Sequence, residues 1–209
     1  MTTFYTSRDM AKVGCGGCRD CSKCCCNMGQ SIVLNPYDVH LLSENMGLSF
    51  EELLSGPLEL SSEAGIVHPN LRMLPIGNRL QCGFLDESGR CSVHSFRPGI
   101  CRLFPLGRDY SDGRIAYFLL EDACPSSIRT KEKISSWLGF SSEHRLKQYE
   151  DFLLAWHLFI RKKREEIYAD AATAREKATQ ISTMLLDVFY IPPYEDFFAE
   201  INERMQKHS

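Results

Sequence analysis

Long apolar runs, charge of one sign and nucleotide-binding signatures are all scarce in this 209-residue chain. No apolar stretch approaches the roughly 20 residues that cross a bilayer, so neither a membrane span nor a membrane partner is expected. The opening residues, MTTFYTSRDMAKVG, lack the apolar core of a secretory leader. The chain is therefore expected in the cytoplasm, where disulfides are rare and clustered cysteines serve metals or catalysis. Basic and acidic residues nearly cancel, 24 against 27, for a net charge of -3. No overall field attracts nucleic acid. The phosphate loop G-x-x-x-x-G-K-[ST], the G-x-G-x-x-G turn and the G-x-S-x-G elbow are absent, which removes support for the usual nucleotide and serine-hydrolase chemistries. C-x3-C-x2-C, the usual radical SAM ligation motif, is absent too.

What the first part of the chain has is sulfur. Cys15 to Cys26 reads CGGCRDCSKCCC, which holds six of the ten cysteines, and Cys82, Cys91, Cys101 and Cys124 supply the rest. Neighbouring thiols this close do not all pair as unstrained disulfides, because a disulfide demands particular Cα separations and Cβ directions. A C-x2-C step instead lets two thiolates converge on one centre. Cys18, Cys21, Cys24 and Cys25 with the four distant cysteines make eight thiols. Eight are enough for two four-thiolate centres, or for one iron–sulfur cluster with four thiols nearby. Zinc and iron–sulfur both want soft thiolates, and spacing alone leaves the two open. Four thiolates around either leave about -2 of charge to offset. Arg90, Arg97 and Arg102 flank Cys91 and Cys101 and are placed to donate hydrogen bonds toward sulfur. His94, two residues beyond Cys91, is a further candidate ligand; the other histidines form no metal-spaced pair.

The elements follow from local signals. Ser31–Leu34 reads as a short strand, and Asn35-Pro36 starts a helix that Gly47 stops after Met46. Ser49 and Glu52 make a capping box for a short helix through Leu54. Residues 56–78 are broken by prolines into turns and short extended pieces. Arg79–Leu85 and Cys91–His94 read as strands of a hairpin turned by Asp86-Glu87-Ser88-Gly89. Phe96–Arg108 is loop or short helix, and Ile115–Glu121 is a buried strand. Beyond residue 126 there is no cysteine. There Leu146, Tyr149, Leu153, Trp156, Ile160 and Ile167 line one face of a helix of about seven turns. Two more helices are expected over Thr173–Tyr190 and Tyr194–Gln206. Their apolar faces pack on each other and on the cysteine region, or receive an unidentified protein partner. Arg161, Lys162, Lys163 and Arg164 make a basic patch that reads as a solvated helix face.

The residues Cys18-x2-Cys21-x2-Cys24-Cys25, Ile32-Val33-Leu34 with Asp38, Cys82-Gly83-Phe84-Leu85-Asp86, Gly89 to His94 and Arg97 to Pro105 resemble the YkgJ-type cysteine-cluster family. That family carries a CxxCxxCC motif and is described as a zinc- or iron-chelating domain. The likeness covers roughly residues 15–125. It implies a metal-binding domain with Cys18, Cys21, Cys24, Cys25, Cys82, Cys91, Cys101 and Cys124 as ligands; Arg97 and Arg102, from their places beside the cysteines, are expected next to the cofactor. Flagellin lysine N-methylases look related and are associated with a [4Fe–4S] cluster, so the resemblance tilts toward iron–sulfur with a redox or methyl-transfer-related role. The alternatives are a zinc-bound structural or interaction protein, and metal storage, delivery or sensing without catalysis. Cys15 and Cys26 are additions to the family pattern, and His94 stands where the family usually has tyrosine. The expected fold is α+β: an irregular, loop-rich metal-binding region with short strands over residues 1–126, packed on a helical region over 127–209.

Overall fold

A computed structural model describes residues 2–14, 21–121, 123–124 and 129–209; the expected ligand Cys18, with Cys15, lies outside the described residues. The fold is α+β, built of short antiparallel strands in small sheets and a C-terminal set of helices. In chain order the strands are β1 (Phe4–Tyr5), β2 (Met10–Gly14), β3 (Leu58–Glu63), β4 (Ile66–Leu71), β5 (Met73–Ile76), β6 (Arg79–Cys82), β7 (Leu106–Asp109), β8 (Ala116–Leu119) and β9 (Thr130–Lys133). The helices are α1 (Pro36–Met46), α2 (Phe50–Ser55), α3 (Gly99–Leu103), α4 (Ile134–Trp137), α5 (Glu143–Tyr168), α6 (Ala174–Leu185) and α7 (Phe197–Lys207).

The helix ends obey the local chemistry. Asn35 accepts from the Asp38 amide while the Asp38 carboxylate accepts from the Asn35 amide, a reciprocal box with Pro36 at the first helical position. Gly47 closes α1 at φ +66°, a conformation that L side chains adopt only with strain. Ser49 and Glu52 form the same box at the start of α2. α5 runs 26 residues from a Ser142 cap and buries Leu146, Tyr149, Phe152, Leu153, Trp156, Phe159 and Ile167. α6 passes into a single π-helical turn at Leu186–Tyr190.

The strands depart from expectation in their pairing. β3 and β4 form a hairpin across Ala64-Gly65, both at positive φ, so residues 56–78 are more regular than their prolines suggest. Pro69 fits because its position in β4, opposite Leu60, leaves its carbonyl free to accept from Leu34. The expected Arg79–His94 hairpin is not formed as one. β6 pairs backward with β5, and the later segment is joined by the bridge Leu85–Cys91 and its flanking backbone bonds rather than by a strand pair. The turn chemistry of Asp86 is present: its carboxylate accepts from the amides of Ser88 and Arg90. Segment 31–34 contributes one bridge, Val33 to Asn70, rather than a strand of its own.

Two apolar cores result. The larger joins α1, α2, β3 and β4 to α5, α6 and α7 through Leu34, Leu42, Leu58, Phe152, Phe189 and Ile201, all at most 2 % exposed. The C-terminal helices therefore spend their apolar faces inside this chain. The smaller core gathers Val13, Leu106, Tyr117, Ile134 and Leu138 where β2, β7, β8, β9 and α4 meet. Among the described residues no helix is long and apolar enough to cross a membrane.

Candidate metal centre

Three of the distant cysteines, Cys82, Cys91 and Cys101, are brought to a cavity beside the N-terminal cluster by short local hydrogen-bond ties. Cys26 forms a bridge with Gln81, and Asn27 donates its amide to the Leu80 carbonyl at 2.8 Å. Those bonds hold the 3-10 turn Lys23–Cys25 along the edge of β6, whose last residue is Cys82. Asn27 accepts the φ of +56° that this bend needs, as asparagine does more readily than most residues. The bridge from Leu85 to Cys91 and the bond from the Ser92 amide to the Phe84 carbonyl fold Cys91 back toward Cys82. Cys101 sits in α3. The start of that helix is fixed by Asp38, whose carboxylate accepts from the Gly99 amide at 2.6 Å.

The outcome is one cavity of about 160 Å³ with Cys21, Cys24, Cys25, Cys82, Cys91 and Cys101 in its wall. Arg90, Arg97 and His94 line it as well, and Ile32, Leu71, Phe84 and Val93 give it an apolar floor. Arg97 and His94 stand 3.1 Å apart, Nη1 to Nε2. Two expected site residues are not in the wall. Arg102 follows Cys101 on α3, a step of about 100° around a helix, and so faces away; it lies over the rings of Phe140 and Tyr149 at 5.6 and 5.9 Å. Cys124 is half-buried elsewhere, with its carbonyl accepting from Arg129.

The thiols differ in acidity for physical reasons. Cys24 and Cys25 lie 3.9 Å apart, sulfur to sulfur. That hydrogen bond, helped by the Arg97 guanidinium, lowers the Cys24 thiol to about 6. Cys25 is the partner that keeps the proton, so the same contact, with burial, drives it upward. Burial also raises Cys82, Cys91 and Cys101. A dry, crowded set of thiols resists losing protons until a cation compensates it, and metal binding is such a compensation.

The donor set fits a thiophilic metal. All eight described cysteines are free thiols, six of them around one cavity, and no carboxylate lines it. The six surround a volume rather than a point: among the described residues no three His, Cys, Asp or Glu side chains converge closely enough to hold a single ion.

The sequence reading gave no role to Asp38, although its place three residues after an N-cap asparagine signals the carboxylate half of a capping box. No searched curated protein or solved structure matches the chain. A family model does match, over residues 17–125, and its description is CxxCxxCC, "Putative zinc- or iron-chelating domain". That span contains Cys18 to Cys26, both backbone ties and α3, and exceeds half of the sequence. The chain belongs to this metal-chelating CxxCxxCC family.

Proposed function

We propose that the chelated metal is an iron–sulfur cluster of the [4Fe–4S] type, held in a cytoplasmic protein with a redox or methyl-transfer-related role. The observation that carries this reading is that six thiols line one cavity of about 160 Å³, two more than a single zinc ion takes. A mononuclear zinc site draws four ligands to about 2.3 Å from one ion; a cubane spreads its thiolates around a larger inorganic core. The ligands are drawn from Cys18, Cys21, Cys24, Cys25, Cys82, Cys91, Cys101 and Cys124. Cys21, Cys24, Cys25, Cys82, Cys91 and Cys101 are favoured by their shared wall.

When bound, such a cluster supplies one-electron capacity. The chain's own contribution is charge balance and exclusion of water. Arg97 lowers the charge cost at Cys24 and Cys91, the two thiols its field reaches. Phe84, Val93 and Ile32 keep the floor apolar, which strengthens that field. Free thiols in number fit a reducing compartment.

Anaerobic purification followed by iron, zinc and acid-labile sulfide analysis tests the proposal. Brown protein with iron and sulfide in equal amounts is the expected result. Colourless protein with stoichiometric zinc overturns the iron–sulfur assignment and leaves the zinc-bound structural protein in its place.

A further inference from the structure

A second and larger cavity, about 670 Å³, lies on the other side of Cys24 and Cys101, which belong to both linings. Its size is in the range that encloses small organic ligands. Its walls come from segment 31–38, the β3–β4 hairpin, α3, β7, one face of α5 and the end of α6. Leu34, Ile66, Leu106, Leu153, Trp156 and Leu185 make it predominantly apolar, and every one of them is at most 9 % exposed.

The charged groups on this wall are three guanidiniums, Arg108, Arg161 and Arg164, and two carboxylates, Asp38 and Glu63. Arg108 is partly buried, makes no ion pair among the described residues, and has one hydrogen bond, a 3.3 Å contact from Nη1 to the Tyr110 hydroxyl. Tyr110 is in turn stacked on His157 at 4.3 Å between ring centres. Arg161 and Arg164 follow His157 on the same face of α5. The Arg164 side chain is engaged by Glu63 at 3.2 Å, and Arg161 stands at the rim, largely exposed, near Glu165. The carboxylates in the lining are Glu63, paired with Arg164, and Asp38, whose oxygens are taken by the amides of Asn35 and Gly99 and whose charge reaches Arg108 without a hydrogen bond to it. Two members of the basic patch at 161–164 thus border a cavity. Lys163 alone turns inward, to Glu166 and over Phe159.

An apolar chamber with an under-partnered guanidinium in its wall matches a molecule with an apolar body and one anionic head. The guanidinium presents a planar fork of donors that fits carboxylate or phosphate oxygens in pairs. The apolar body covers Leu153, Trp156 and their neighbours, which otherwise border open space. We propose that this cavity binds a small amphipathic organic anion, its head paired with Arg108, its body along α5, and its surface in contact with the Cys24 and Cys101 wall of the metal centre. The inference concerns a site beyond the metal centre and holds for either metal.

Calorimetric titration of the full-length, metal-loaded protein with decanoate, decyl phosphate, decanol and decylammonium tests it. One site binding either anion at least about tenfold more tightly than decanol, with decylammonium weakest, is the expected result; the better anion identifies the head group. Arg108→Gln should remove about tenfold or more of the anion affinity and leave decanol binding near its original strength. Ile160→Trp, which pushes an indole into the chamber, should abolish binding of all four. Decanol or decylammonium binding as tightly as the anions overturns the proposal, as does unchanged anion affinity in Ile160→Trp. If Arg108→Gln fails to fold by circular dichroism, the anion–decanol comparison in the unaltered chain decides alone. None of these readouts depends on which metal is present.

Discussion

Replacing Asp38 with alanine should loosen the cysteine region from a distance. This side chain is 1 % exposed and holds two backbone amides at once. One carboxylate oxygen accepts from Asn35 at 3.2 Å and closes the cap of α1; the other accepts from Gly99 at 2.6 Å and fixes the first turn of α3. Losing a helix cap costs about 1 kcal/mol, and a buried amide left without an acceptor costs about 1–3 kcal/mol. Against that, burial pushes the Asp38 carboxyl upward, and the two amides only partly offset it. Removing the acid returns that desolvation cost, which keeps the net destabilisation near the low end, about 2–3 kcal/mol. In a domain of this size that is a fall in Tm of roughly 4–12 °C. Because α3 carries Cys101, metal content per chain should drop in the same variant.

Asp38→Asn separates the two contributions. Its amide oxygen can serve one of the two backbone donors while its NH2 faces the other, so roughly half the loss is expected. The assay is thermal unfolding of metal-loaded protein followed by circular dichroism, with metal counted on the same samples. A Tm for Asp38→Ala within about 1 °C of the original, with full metal, would refute the view that this carboxylate braces the centre.

Other outcomes follow from single groups. Among the described residues the buried Tyr149 hydroxyl has no hydrogen-bond partner, so Tyr149→Phe should raise Tm by about 2–4 °C, the equivalent of about 1 kcal/mol; a decrease counts against the packing described. A methyl group at Gly99 would fall 2.1 Å from that hydroxyl, so Gly99→Ala should destabilise strongly and be partly rescued by Tyr149→Phe in the double variant. In metal-free protein, alkylation mapped by mass spectrometry should find Cys24 reacting first. Its folded pKa is depressed, so the thiolate is present above about pH 6 and lost as pH falls through that value; Cys82, Cys91 and Cys101 should lag because theirs are raised. All four titrating alike in the ordinary thiol range would sink that ordering. Arg204 holds the chain after α6 by donating to the carbonyls of Val188 and Pro193 at 2.9 and 2.8 Å while lying over Tyr194, so Arg204→Met should cost about 2–3 kcal/mol in urea unfolding.

Helices were legible because their signals are local. Asn35-Pro36, Gly47, Ser49 with Glu52, and the stripe from Leu146 to Ile167 act within a few residues, and α1, α2 and α5 appear where those signals put them. Sheet pairing was not legible to the same degree. Asp86 to Gly89 is a genuine turn, yet Arg79–Cys82 pairs with Met73–Ile76 because a strand's partner is chosen by packing over the whole region. Arg102 shows a related effect: adjacent to Cys101 in sequence, it stands about 100° further round α3 and lies over the rings of Phe140 and Tyr149. The large cavity is hard to read from the sequence because its lining runs from Cys24 to Tyr190 and mixes motif residues such as Asp38 and Cys101 with α5 residues that carry no motif.

Those walls also say why the cysteine region and the helices share one body. Cys101 and Leu103 sit on a five-residue helix too short to persist alone. Asp38 pins its start, and Trp137 donates to the Phe104 carbonyl at 3.2 Å just past its end. α5 then closes the space behind it with Leu153 and Trp156. The sulfur side of α3 is shaped by thiols and backbone ties, the opposite side by apolar packing from residues that contain no cysteine. Cys24 and Cys101 belong to the linings of both cavities, so the proposed occupant of the larger one would lie against a wall shared with the proposed metal centre.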